Sequence, residues 1–169
     1  MTAAEGPALS YSSAPGRWVL AVTGGSGIAA LDATVVSIAL PVIGRDFRAS
    51  VAALQWVMNG YTLTLAAFLL IGGSLGDRFG RRATYLIGIA WFAVASAACG
   101  FAPNVTFLII TRLLQGAGAA LLTPGSLAIL EVSFRPADRA RVIGAWSGLG
   151  GLAIAAGPVV GGCLISAAS

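Results

Sequence analysis

The chain has 169 residues, of which 57% are hydrophobic and only 9% are charged. An ordinary soluble domain carries about 25% charged residues, so this composition excludes one and indicates a protein of the lipid bilayer. The net charge of +4 comes from arginine alone, and the arginines lie in short gaps between apolar runs. That distribution favours lipid headgroups over nucleic acid as their partner.

Five apolar segments are predicted to cross the membrane as helices, because each has about the length of the roughly 20 apolar residues that span the hydrocarbon core. Short connections join them, such as Gly44–Ser50 and the turn at Pro103 and Asn104. The predicted fold is an all-α integral membrane protein, a compact bundle of antiparallel helices. The segments are Trp18 to Ile43, Leu54 to Leu75, Thr84 to Phe101, Val105 to Leu130, and Val142 to about Ile165.

The arginines also predict the orientation of the bundle, since cytoplasmic loops carry the excess of positive charge. If the five segments cross the membrane in turn, only Arg45 and Arg48 lie on one face of it. The other side carries Arg17, Arg78, Arg81, Arg82, Arg135, Arg139 and Arg141. The amino terminus is therefore predicted to be cytoplasmic. Residues 1–17 lack the basic start of a secretory signal and are predicted to form a disordered cytoplasmic tail.

Two motifs of soluble enzymes occur in the chain and are set aside. Residues 23–30 contain a G-x-G-x-x-A pattern, but the alternating strands and helices of a dinucleotide-binding fold do not follow it. Residues 72–76 fit the G-x-S-x-G pattern, but the chain has no histidine to act as its base. Cys99 and Cys163 stand alone, which predicts packing roles rather than a metal site. We therefore expect no enzymatic activity, no metal and no cofactor.

Two charged residues lie inside predicted spans, Asp32 in the first and Arg112 in the fourth. At about 1.5 Å per residue, Asp32 lies roughly 16 Å and Arg112 roughly 10 Å from the outer ends of their helices, so the two can meet in the outer half of the membrane. A charge in hydrocarbon costs at least about 2.5 to 3.5 kcal/mol, and each is expected to face the bundle interior, a partner or water. A purely structural ion pair and a pair that carries protons both fit this pattern.

Glycine recurs at helical spacing in the fifth span, at Gly144 and Gly148 and again at Gly157 and Gly161. Small residues four apart let membrane helices approach closely, because packing rather than the hydrophobic effect drives their association in lipid. This span is therefore expected to have helical partners.

The segment from Gly73 to Arg82 is the most specific pattern in the chain, and it predicts a loop of about eight residues between the second and third spans. Gly80 permits a tight turn, Asp77 can pair with an arginine or face a helix amino terminus, and the arginines hold the loop at the cytoplasmic face. An ordinary positive loop with an incidental acid is the simpler alternative. The segment nevertheless resembles, throughout its length, the signature loop of the major facilitator superfamily.

Three further segments resemble motifs of the same superfamily. Leu31 to Pro41 looks like the first-helix motif of its fourteen-helix drug:proton antiporter branch, with Ser37 where that pattern usually has asparagine. Arg112 to Gly118 is similar to the fourth-helix motif, and Gly157 to Gly162 is similar to the antiporter motif of helix five. The resemblance covers nearly everything from residue 18 onward. It implies that residues 18–169 form transmembrane helices 1–5 of an incomplete amino-terminal transporter half.

By this resemblance the chain is expected to be the amino-terminal part of a multidrug efflux antiporter of the cell membrane, which exports lipophilic or cationic compounds in exchange for protons. Two alternatives stay open. One is a truncated fragment that does not transport, and the other is part of a nutrient or metabolite symporter of the same superfamily. The partners expected of such a chain are a small-molecule substrate, protons, membrane lipids and the missing carboxyl-terminal helices, but not nucleic acid.

The candidate site residues fall into four groups. Proton coupling is expected of Asp32 and Arg112. A conformational gating loop is implied for Gly73, Asp77, Arg78, Gly80, Arg81 and Arg82, and the antiporter motif for Gly157, Pro158, Gly161 and Gly162. The candidates for substrate binding are Trp56, Asn59, Tyr61 and Gln115, although anchoring at the interface or packing is the commoner role of aromatic residues in membrane helices.

Overall fold

The structure is a computed structural model that describes the backbone of residues 14–133 and 136–168, and the side chains within residues 22–130, 139–159 and 161–163. Five helices follow one another along the described backbone, and all five are long and apolar enough to cross a membrane. The prediction of a five-helix membrane bundle is thus confirmed. The helices are α1 (Ala14–Asp46), α2 (Val51–Phe79), α3 (Arg81–Gly100), α4 (Val105–Ser133) and α5 (Pro136–Ala168).

The predicted helices are too short in two places. Helix α1 extends further at its amino-terminal end, and α2 and α3 extend further toward each other. Helix α1 begins at Ala14, so residues 14–17 are helical rather than disordered, while residues 1–13 lie outside the described residues. Helix α2 continues to Phe79, and the loop expected to hold about eight residues is reduced to Gly80. Apolar length marks only the part of a helix inside the hydrocarbon, so polar turns that continue beyond it escape such a prediction.

Capping residues and a glycine mark the helix ends. Ser50 accepts a hydrogen bond from the Ala53 N–H at 3.2 Å and caps α2, and Asn104 accepts one from the Phe107 N–H at 2.8 Å and caps α4. Gly80 has φ of +96°, a conformation that L residues with a Cβ rarely adopt. The chain can therefore reverse direction at this one residue.

Helix α4 is the centre of the bundle, since it packs against both α2 and α3, while α1 packs chiefly against α5 and also meets α4. The buried apolar side chains of α4 include Ala119, Ala120 and Leu122. The interior is formed mainly by the faces of α2 and α3 that turn toward α4, and α1 adds the buried Val22.

Helices α2 and α4 approach so closely that backbone meets backbone. A Cβ at Gly72 would collide with the carbonyl oxygen of Ala120, and a Cβ at Gly116 would collide with that of Tyr61. Pro124 lacks an N–H and cannot donate to the Ala120 carbonyl four residues earlier, although α4 continues through it. The Gly72 backbone thus lies against the Ala120 carbonyl, which lacks its usual helical N–H donor. A weak hydrogen bond from the Gly72 Cα–H can partly replace that donor.

Of the four regularly spaced glycines of α5, only two pack closely against another helix within the described residues. A Cβ at Gly157 would lie 2.6 Å from Thr34 Cβ, and one at Gly161 would lie 3.7 Å from Val35 Cα, so both glycines face α1. Gly144 and Gly148 have no atom within 4 Å of such a Cβ. The close approach predicted from glycine spacing therefore holds for the second pair and not for the first.

Replacing Gly72 by alanine should push α2 away from α4, because the new methyl group has no space beside the Ala120 carbonyl. Overpacking of this kind costs about 1–3 kcal/mol, which detergent-based thermal or denaturant unfolding will measure. Gly148→Ala is the matched control, since its methyl group enters open space. Equal stability of the two variants would contradict the close α2–α4 crossing.

Candidate functional site

Asp32 of α1 and Arg112 of α4 form a salt bridge in the interior of the bundle. The Arg112 Nη1 atom donates to Asp32 Oδ2 at 2.6 Å. The side chain of Arg112 is only 2% exposed and that of Asp32 is 16% exposed. A charged pair shielded to this degree must be well compensated, because removing either charge from water is costly. The approach of the two side chains predicted from their depths is therefore observed.

Arg112 is held by three groups besides Asp32. Its Nε atom donates to the Val57 carbonyl at 3.3 Å, and its Nη1 atom donates to Gln115 Oε1 at 2.7 Å. Its Cζ atom lies 4.6 Å from the centre of the Tyr61 ring, within the range of a cation–π interaction. The guanidinium is thus fixed by α2 and α4, whereas α1 supplies the carboxylate.

A second layer links this pair to α3. Gln115 Oε1 also lies 3.6 Å from Cys99 Sγ, and the same sulfur lies 3.2 Å from Thr111 Oγ1. A guanidinium can only donate, so the oxygen of the Gln115 amide must face Arg112. Sequence reasoning assigned Cys99 to packing alone and did not single out Thr111. Cys99 lies one residue before the end of α3 and Thr111 six residues after the start of α4, and this closeness to the short α3–α4 connection was the available signal.

The four residues predicted to bind substrate lie in two different places. Tyr61 and Gln115 are buried beside Arg112. Trp56 and Asn59 are exposed and line an open groove of about 620 Å³ along α2. The groove is formed by Ala52, Gln55, Trp56, Asn59, Thr62, Leu63 and Ala66.

The predicted gating loop forms a second polar centre at the α2–α3 junction. Arg81 Nη2 lies 3.1 Å from Asp77 Oδ1, and Arg81 Nη1 donates to the Ala128 carbonyl of α4 at 3.3 Å. The guanidinium of Arg78 lies 5.7 Å from the ring of Phe79, and Arg82 is exposed. A cleft of about 160 Å³ lies between α2, the first residue of α3, and α4, and it is lined by Gly72, Gly73, Gly76, Asp77, Arg81, Pro124, Gly125 and Ala128.

The antiporter-motif residues of α5 do not touch the ion pair directly. Gly157 and Gly161 are buried against α1, whereas Pro158 and Gly162 are exposed. The contact of Gly157 with Thr34 nevertheless lies two residues from Asp32. Helix α5 therefore supports the part of α1 that carries the carboxylate.

Comparison with known proteins gives one family and several relatives. The sequence profile of the Major Facilitator Superfamily matches residues 22–169. The tetracenomycin C resistance and export protein of Streptomyces glaucescens is 46% identical over 96% of this chain and 30% of its own length. The methylenomycin A resistance protein of Streptomyces coelicolor is 40% identical over 97% of this chain and 35% of its own.

A third relative is the multidrug efflux pump LfrA of Mycolicibacterium smegmatis, which is 44% identical over 80% of this chain and 27% of its own length. The chain thus spans about a third of the length of the relatives it matches. The profile match, the five membrane-length helices and these identities together establish the family. The chain is a multi-pass membrane protein that belongs to the Major Facilitator Superfamily.

Proposed function

We propose that this chain is the amino-terminal part of a proton-coupled multidrug efflux antiporter of the fourteen-helix branch, which exports lipophilic or cationic compounds in exchange for protons. The single observation that carries the proposal is the shielded Asp32–Arg112 pair inside apolar helices. Ionisable residues in membrane spans are expensive and commonly mark ion or proton pathways. The export and efflux functions in the names of two relatives support the direction of transport.

Asp32 is the proposed proton carrier. Its carboxylate lies in the bundle interior with Oδ2 at 2.6 Å from Arg112 Nη1, and we propose that it takes up and releases a proton as the separation of the two side chains changes. A cationic substrate can then compete with the proton for the same carboxylate.

Arg112 is the proposed fixed counter-charge. When Asp32 takes up a proton, the salt bridge weakens, but the bonds from Arg112 to the Val57 carbonyl and to Gln115, and its contact with Tyr61, are unaffected by that charge. The guanidinium therefore stays with α2 and α4. Protonation is proposed to weaken the attachment of α1, together with α5 that packs on it, to α4.

The remaining site residues are proposed to serve recognition and conformational change. The groove beside Trp56 and Asn59 offers an aromatic face and an amide for a flat lipophilic compound. The Asp77–Arg81 pair joins the α2–α3 junction to α4 through Ala128 and is suited to gating. The Gly157–Thr34 contact lets α5 move with α1.

We further propose that the five helices transport only together with additional helices. Transporters of this kind bind substrate between repeats of the bundle. The groove at Trp56 and Asn59 is lined by residues of α2 alone within the described part of the chain. A second wall for the substrate must then come from elsewhere.

Asp32→Asn in a complete transporter that contains these helices should abolish proton-driven efflux, because an amide does not take up or release a proton at physiological pH. Efflux of a fluorescent cationic dye from vesicles with an imposed proton gradient measures this. Asp46→Asn is the matched control, since Asp46 is exposed at the end of the same helix. Undiminished efflux by Asp32→Asn excludes the carrier role. Gradient-driven uptake of the dye by the unaltered transporter, in place of efflux, would favour a symporter.

A purely structural ion pair is distinguished from a functional one by removing both charges. Arg112→Gln alone leaves Asp32 shielded and unpaired, and breaking such a pair costs about 3–5 kcal/mol. Adding Asp32→Asn should recover most of that stability in detergent unfolding experiments. The double variant should still fail to couple efflux to protons, so a stable double variant with normal coupling would show that the pair serves the fold alone.

Expressed alone in a drug-sensitive bacterium, the chain should confer no proton-dependent efflux. Immunodetection in the membrane fraction establishes that the chain is present at a level comparable with an active relative. Coexpression with the remaining helices of such a relative tests whether the missing wall restores efflux. Efflux by the isolated chain would overturn the requirement for further helices.

A further inference from the structure

Tyr85 of α3 is fully buried and links α3 to α1. Its hydroxyl donates to the Val22 carbonyl of α1 at 3.2 Å. A backbone carbonyl has two lone pairs, so this oxygen can accept the tyrosine in addition to a helical N–H donor. A tyrosine hydroxyl and a backbone carbonyl are both neutral at physiological pH. This bond is therefore formed without any charge, unlike the salt bridge at Asp32.

Glycine at position 25 lets Tyr85 reach the backbone of α1. A Cβ at Gly25 would collide with the Tyr85 hydroxyl oxygen, whereas a Cβ at the preceding Gly24 would have nothing within 4 Å. The tyrosine also packs on Gly125 of α4, where an added Cβ would lie 3.5 Å from Tyr85 Cβ. The glycine-rich start of the G-x-G-x-x-A pattern thus admits a side chain of α3 in this bundle.

The five helices pack as two units. Helices α2 and α3 pack mainly on α4, while α5 packs mainly on α1. The Asp32–Arg112 salt bridge links the two units at one level. The bond from Tyr85 to Val22 links them at a second level, about ten residues or about 15 Å along α1 toward the end of the bundle predicted to be cytoplasmic. A proton on Asp32 removes a charge from the first link and none from the second.

A groove of about 350 Å³ separates α1 from α3 beyond the Tyr85 contact. It begins beside Gly25 and Ile89, about one turn from that contact, and continues along α3 to Ala97. Helix α3 therefore holds α1 where Tyr85 lies and leaves a gap beside it farther along. The next part of α1 is held by α4 instead, through the salt bridge of Asp32.

We propose that Tyr85 is a positioning residue for Asp32, whose hydroxyl fixes α1 at the level of Val22. When Asp32 takes up a proton and the salt bridge weakens, α1 turns about this fixed point rather than leaving the bundle along its whole length. When the proton leaves, the carboxylate returns to the same place beside Arg112. The contact itself is independent of transport, whereas this role in coupling rests on the proposed function.

Pairs of nitroxide spin labels on the purified chain in detergent measure how α1 lies against α3. Gly24→Cys with Ala83→Cys reports on the level of Tyr85, and Asp46→Cys with Phe101→Cys reports on the opposite end. All four positions are exposed. Both native cysteines are replaced by serine. Asp32→Asn, which imitates the protonated carboxyl, should widen the distance distribution of the second pair and leave that of the first unchanged.

Removing the tyrosine hydroxyl as well should release the fixed point. Tyr85→Phe keeps the ring, so in combination with Asp32→Asn it should widen the distribution of the first pair too. Trp91→Phe is the matched control on the same helix, because the Trp91 Nε1–H donates at 2.8 Å to the Leu114 carbonyl of α4, within one unit. Three results would overturn the fixed point: Asp32→Asn alone widens the first pair, it leaves the second unchanged, or the Asp32→Asn/Tyr85→Phe variant keeps the first pair narrow.

The role in coupling is tested in a complete transporter that contains these helices. Tyr85→Phe should lower the maximal rate of proton-driven dye efflux several-fold, with the half-saturating dye concentration unchanged. Gly25→Ala should do the same, because its methyl group displaces the tyrosine hydroxyl. Gly24→Ala, whose methyl group enters open space, should match the unaltered protein.

Rates are expressed per transporter molecule detected in the membrane, so a loss of folded protein does not imitate the effect. A normal maximal rate in Tyr85→Phe would overturn the positioning role, as would equal losses in Gly25→Ala and Gly24→Ala. If Asp32→Asn leaves efflux intact, the proposed function fails. The label distances then still decide whether Tyr85 fixes α1.

Discussion

The salt bridge between Asp32 and Arg112 is the constraint on which the arrangement of the bundle depends. In an apolar environment an unpaired charge is unfavourable by several kcal/mol, so α1 and α4 cannot turn or slide independently while both residues are charged. Arg112 adds a bond to the Val57 carbonyl and a contact with the Tyr61 ring, which bring α2 to the same point. Three of the five helices are thus fixed relative to one another by a single guanidinium.

Small residues make this convergence possible. Gly116 lies four residues from Arg112, and only its lack of a Cβ allows the Tyr61 backbone to come so near to α4. With a larger residue there, the Tyr61 ring and the Val57 carbonyl would be displaced from Arg112. In lipid, where apolar side chains gain little from leaving their surroundings, such backbone contacts and polar bonds take over the role of a hydrophobic core. The close packing of α2 against α4 therefore also positions the groups that bind Arg112.

The two ion pairs described above differ in what they can contribute. The Asp77–Arg81 pair is largely exposed, and exposed pairs are worth about 0–1 kcal/mol. It can break and reform easily, as a gate requires, and its link to α4 passes through one bond to the Ala128 carbonyl. The Asp32–Arg112 pair is shielded and held by additional partners, so a change in its charge state has a large effect on the helices that carry it.

The sequence by itself determined the five membrane spans and the meeting of Asp32 with Arg112. It also predicted a close approach of α5 to a neighbouring helix, which holds at Gly157 and Gly161 but not at Gly144 and Gly148. These follow from rules that act on one residue at a time: apolar length sets the spans, and a charge in lipid needs an opposite charge at its own depth. The gating-loop residues were also recognised, but the length of that loop was not, because helices continue beyond the hydrocarbon into regions where apolar length gives no signal.

Only the tertiary structure decided which groups surround the charged pair. The Val57 carbonyl is a backbone atom that every residue has, so no residue type could indicate it. The separation of Trp56 and Asn59 from Tyr61 depends on which face of α2 turns toward α4, and that is set by the glycine crossings. Composition and spacing describe single helices, whereas these properties arise from the contacts between them.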